Sequence, residues 1–100
     1  MTYNREETMK VEVENTLVKS VISMLEKRST PWVGTMTDLN GIVMKTVKKT
    51  GVPSSWPRSP SALRVVLNRV VNRIRNQGVS VRFVRSADHE RNRLVVFKMQ

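Results

Sequence analysis

Apolar residues at Val13, Leu17, Val18, Val21, Ile22, Met24 and Leu25 recur three and four positions apart, with Glu12, Glu14, Lys19, Glu26 and Lys27 among the polar positions between them. That period predicts an amphipathic helix from Val11 to about Arg28. Residues 1–10 are polar and aperiodic and read as a frayed lead-in, so the folded domain is expected over residues 11–100. Ser29-Thr30-Pro31 ends the first helix, and Trp32-Val33-Gly34-Thr35 leaves room only for a very short strand or an extended link. A hydroxyl at Thr35 or Thr37 is placed to cap a second helix, with Asp38 in its first turn. Its apolar positions are Leu39, Ile42, Val43, Met44 and Val47, it extends to about Lys49, and Gly51 is its stop signal.

Val52-Pro53-Ser54-Ser55-Trp56-Pro57-Arg58 holds two prolines, two serines and no period, and is not helical. Ser59-Pro60 then gives a serine cap followed by proline at the first helical position, which predicts a third helix from Pro60 to about Gln77, stopped by Gly78. Beyond it, Val79–Arg85 and Arg93–Met99 are β-branched and partly alternating, and the polar turn over residues 86–92 joins them as a hairpin. Helix, short strand, helix, helix, hairpin is an α+β order, that of a winged helix-turn-helix with three helices, a C-terminal β-hairpin wing and a short strand before the second helix.

Charge changes the picture from a fold to a partner. The chain of 100 residues carries a formal net charge of +10, a field that favours polyanions. Residues 1–50 hold eight Lys/Arg against six Asp/Glu, whereas residues 51–100 hold ten against two. The bases also change kind, from six Lys and two Arg in the first half to nine Arg and one Lys in the second. Arginine's planar fork suits bidentate contacts to phosphates and guanine edges.

Projected at about 100° per residue, the third helix puts Leu63, Val66, Leu67, Val70, Val71 and Ile74 on one side. The opposite side carries Ser61, Arg64, Val65, Asn68, Arg69, Asn72, Arg75 and Asn76, with neither Glu nor Lys. Arginine reads guanine and phosphate, asparagine reads adenine, serine meets phosphate and Val65 suits a thymine methyl. Ser61, Arg64, Val65 and Asn68, nearest the start of the helix, are expected deepest in the major groove of duplex DNA. An arginine-rich face can serve solubility alone, but Arg82, Arg85, Arg91 and Arg93 on or beside the hairpin give a second basic element where adjacent backbone would run. Together with Arg58 they are expected to supply mainly phosphate contacts.

Other chemistry finds little support. There is no cysteine, and the one histidine, His89, sits beside Asp88 and Glu90 without further ligands at metal-binding spacing. No carboxylate cluster, nucleophile or phosphate loop appears, so a binding module is expected, not an enzyme, with no cofactor, metal or small-molecule substrate. Trp32 and Trp56 stand beside prolines in connections, where a large ring more often covers a core edge than stacks on a base. Met24, Met36 and Met44 read as core filler. The longest apolar runs are too short to span a bilayer and the polar start is no signal peptide, so a cytoplasmic, DNA-associated location without membrane contact is expected.

Two motifs carry a family resemblance: Trp32-Val33-Gly34-Thr35-Met36-Thr37-Asp38-Leu39 and Trp56-Pro57-Arg58-Ser59-Pro60-Ser61-Ala62-Leu63. With Leu67-Asn68-Arg69, Ile74-Arg75 and Gly78-Val79-Ser80-Val81, they resemble the winged-helix domain at the C-terminus of primase-helicase replication proteins of phages, plasmids and mobile elements. The resemblance covers roughly residues 15–98. It implies a DNA-binding appendage serving replication initiation or helicase loading. A replicative helicase or primase, or the rest of a larger replication protein, is the implied partner besides double-stranded DNA. Helicase nucleotide-binding motifs are missing, so no ATPase activity carries over. A sequence-specific transcriptional regulator and a protein-interaction module are the alternatives for the same fold.

Overall fold

The computed structural model describes residues 5–47, 51–53, 56–85 and 93–100, with the backbone alone for residues 5–10. The elements in chain order are α1 (Arg5–Glu26), β1 (Trp32–Gly34), α2 (Met36–Thr46), α3 (Pro60–Asn76), β2 (Val79–Arg85) and β3 (Arg93–Met99). This is the α+β arrangement expected from the pattern, three helices with an antiparallel sheet, and it is compatible with a winged helix.

α1 starts six positions before the expected Val11 and takes in residues 5–10. Arg, Glu, Met and Lys in that stretch are good helix formers. Propensity of this kind needs no apolar period, and a search for period misses it. Val13, Leu17, Val18, Val21, Met24 and Leu25 of α1 are buried as the pattern requires.

α2 is opened by a reciprocal cap. The Asp38 amide donates to Thr35 Oγ1 at 3.2 Å, and the Thr35 amide donates to Asp38 Oδ2 at 2.9 Å. The helix ends at Thr46 instead of near Lys49, and Gly51, at φ 72°, donates its amide to the Val47 carbonyl at 2.6 Å. Met36, Leu39 and Val43 line the buried side. Met44, expected in the core, is 40% exposed, because it stands one residue past Val43 and about 100° around the helix from it.

β1 joins the sheet along β3, with Trp32 opposite Phe97 and Gly34 opposite Val95, and the strand order is β1-β3-β2. Trp32 stacks on Phe97 with ring centroids 5.7 Å apart. A Cβ at position 34 would come within 2.7 Å of the Trp32 ring, so the spacing Trp-x-Gly is a packing requirement. Trp56 is buried too, and its indole Nε1 donates to Asn40 Oδ1 at 2.7 Å, which fastens the proline-rich link onto α2. Both tryptophans are 6% exposed, so they cover the core edge and are closed to stacking on a base.

α3 begins where Ser59 Oγ accepts the Ala62 amide at 3.1 Å, with Pro60 in its first turn, and gives way to β2 through Gly78 at φ 87°. Leu63, Leu67, Val70, Val71 and Ile74 pack into the core with Phe97, Val95, Val79 and Val81 of the hairpin. Among the described residues no helix is long and apolar enough to cross a membrane.

Candidate nucleic-acid interface

Burying one stripe of α3 fixes what the other presents. Ser61, Val65, Asn68, Arg69, Asn72, Arg75 and Asn76 are exposed, Val65 by 51%, and Arg64 is half-buried. The helix contains no acidic residue. Arg58, in the link two residues before Pro60, is exposed beside the start of α3.

Alternation along the hairpin sorts its arginines by face. Val79 and Val81 point into the core, so Phe83 and Arg85 continue the same face, and the register places Phe83 opposite Val95 and Arg85 opposite Arg93. Arg85 and Arg93 are both exposed, past the edge of the core. Arg82 belongs to the other face, opposite Val96, which in turn stands opposite Val33 of β1. The structure thus brings Arg85 and Arg93 to the α3 side of the sheet and leaves Arg82 on its outer side. Arg91 and His89 lie outside the described residues.

Three arginines of α3 are held by neighbours. The Arg64 guanidinium sits over the Phe83 ring, 4.7 Å from its centroid, a contact worth about 0.5–1 kcal/mol where it is solvent-accessible. Arg75 Nη2 donates to the Val81 carbonyl at 3.1 Å, so part of its donor set is used to fasten α3 to β2. Arg73 Nη2 donates to Asn15 Oδ1 at 2.6 Å, with Glu14 4.0 Å away, and so ties α3 to α1. Among the described residues, Ser61, Asn68, Arg69, Asn72 and Asn76 are the exposed polar groups of α3 whose side chains make no hydrogen bond within the fold.

An open cleft lies where the first turns of α2 and α3 meet the start of β3. Thr37, Pro60, Ser61, Arg64 and Arg93 line it. Among the described residues no cluster of His, Cys, Asp or Glu is arranged to hold a metal ion.

The sequence-based selection missed Phe83 and Arg73. Phe83 was legible as the last apolar member of the series Val79, Val81, Phe83 before the face turns basic at Arg85. Nothing in the sequence signals that Arg73 faces Glu14 and Asn15, since that depends on how α1 and α3 pack.

A family model described as AICE RepA C-terminal domain matches residues 17–100 of the chain. Neither the curated proteins nor the solved structures contain a significant match.

Proposed function

The chain belongs to the AICE RepA C-terminal domain family, a replication-protein domain of mobile elements, and from that premise we propose that it binds duplex DNA. On this proposal α3 enters the major groove and the β2–β3 hairpin follows the adjacent backbone, in replication initiation or helicase loading. The observation that carries the proposal is the exposed face of α3: Ser61, Val65, Asn68, Arg69 and Asn72 project from the fold with no carboxylate on the helix. Asn68, Arg69 and Asn72 have the donor and acceptor chemistry of base edges, and Arg58, Arg85, Arg91 and Arg93 that of phosphate contacts. The domain contributes binding without cofactor, metal or catalysis. The motor function resides in a replicative helicase or primase, or in the rest of a larger replication protein. Its place of action is the cytoplasm, on DNA.

Selection from a pool of randomised duplexes tests the groove-reading part. The expected outcome is an enriched consensus that loses information at one base pair in Asn72→Ala and at another in Arg69→Ala. No enrichment over the input pool contradicts base reading.

A protein-docking role has one observation in its favour. The outer face of the sheet sets Val33, 54% exposed, beside half-buried Val96, with Val84 and Leu94 farther along the hairpin. Salt-insensitive association with a helicase, combined with no affinity for DNA, would put that role first.

A further inference from the structure

Arg64 is engaged in two ways at once. Its guanidinium rests over Phe83, and the same side chain lines the cleft that Arg93 borders from the start of β3. A cation–π contact engages the ring face and leaves the N–H donors of the guanidinium available. It also restricts an otherwise flexible side chain before any ligand arrives, which lowers the ordering cost of binding.

The hydroxyls at the starts of α2 and α3 divide into two classes. Those of Thr35 and Ser59 are engaged as helix caps, accepting the amides of Asp38 and Ala62. Those of Thr37 and Ser61, which line the cleft, take no part in either cap. Arg64, Arg93, Thr37 and Ser61 around one opening offer positive charge and N–H and O–H donors of the kind that phosphate oxygens accept. α3 has no acidic residue in its first turn, so no carboxylate of its own occupies that place.

We infer that this cleft seats one backbone phosphate, that Arg64 holds the phosphate and reads no base, and that Phe83 positions Arg64 for it. The source of the phosphate rests on the duplex-DNA reading above; the seat itself is a property of the cleft. The division of labour on α3 then follows. Arg64 and Ser61 at its start fix the register on the backbone, and Asn68, Arg69 and Asn72 farther along face the bases.

Two probes separate the seat from the larger reading. In the first, inorganic pyrophosphate is titrated into the protein while the arginine Nε–H NMR signals are followed. Shifts at Arg64 and Arg93 are expected, with the Arg64 shift retained in Phe83→Tyr and lost in Phe83→Leu. In the second, a labelled duplex is bound across a salt series. Arg64→Ala is expected to reduce the salt slope by about one without altering the base preference recovered from a randomised pool. Phe83→Leu is expected to weaken binding about two- to five-fold, and Phe83→Tyr to restore it.

Arg64 is half-buried at the cleft, so Arg64→Ala and Arg64→Lys keep the test in force if Phe83→Leu is unstable. An Arg64 signal indifferent to pyrophosphate overturns the seat. A changed base preference in Arg64→Ala with an unchanged slope makes Arg64 a base reader and overturns its assignment. Pyrophosphate binding by a wild-type protein that ignores duplex DNA would leave the seat standing and remove the DNA reading instead.

Discussion

Arg85 and Arg93 stand directly opposite each other across the β2–β3 pair, on the face of the sheet that continues from the core toward α3. Like charges in that relation oppose pairing by roughly 0.2–1 kcal/mol. The ion pair recorded among the described residues, Arg73 with Glu14, is elsewhere. On the proposed duplex-DNA reading, a bound phosphate backbone neutralises this pair. Arg85→Glu therefore has opposite effects on stability and on binding. Thermal denaturation without DNA is expected to show Tm raised by a few degrees, and a duplex titration to show affinity and salt slope both lowered. A fall in Tm together with unchanged affinity would show that the pair plays no part in binding.

Arg82, three positions from Arg85, is on the outer face opposite Val96. Arg82→Ala is expected to leave the salt slope of duplex binding within error of wild type, whereas Arg93→Ala lowers it by about one. Equal losses from the two variants would mean that DNA does not distinguish the two faces of the sheet.

Ser59 caps α3 one residue before Pro60, which lines the cleft that Arg64 and Arg93 share. Aspartate caps a helix about as well as serine, whereas alanine costs roughly 1 kcal/mol. Ser59→Asp is expected to keep Tm while its added negative charge weakens duplex binding at low salt. Ser59→Ala is expected to lower Tm by about 4–8 °C with a smaller effect on affinity. Anisotropy and melting curves on the two variants make the comparison, and a Ser59→Asp protein that binds as wild type would place the phosphate path away from the start of α3.

Trp56 and Asn40 test the scaffold without touching the interface. Removing the Asn40 acceptor leaves a buried indole donor unpaired, at about 1–3 kcal/mol. Asn40→Ala is expected to unfold several degrees earlier and, below its transition, to bind DNA as wild type does. Loss of affinity in the folded variant would mean that the link over Trp56 positions the start of α3 for binding.

Much of this was legible in the order of residues, for identifiable reasons. α3 carried its own boundaries, with Ser59-Pro60 at one end and Gly78 at the other, and its apolar period named five of the residues now buried. Local signals of that kind act within one turn, so they survive without tertiary information. The start of α1 did not, since helix propensity alone carries Arg5–Lys10 into the helix. The pairing of β1 with β3 also escaped, because residues 32–34 meet residues 95–97 only after the chain between them has folded. In the candidate site, the exposed face of α3 was legible from period alone. The sorting of Arg82 from Arg85 and Arg93 followed from strand alternation, a signal present in the sequence that composition by itself does not reveal. The hold of Phe83 on Arg64 and of Glu14 and Asn15 on Arg73 depends on contacts between elements.

The central claim, that this domain grips duplex DNA through its arginines, is tested most directly by fluorescence anisotropy of a labelled random duplex titrated at salt concentrations from about 50 to 200 mM. Five phosphate-contacting guanidiniums, those of Arg58, Arg64, Arg85, Arg91 and Arg93, predict a slope of log K against log salt of about −4 to −5. Absence of binding at the lowest salt, or binding with a slope near zero, would contradict it.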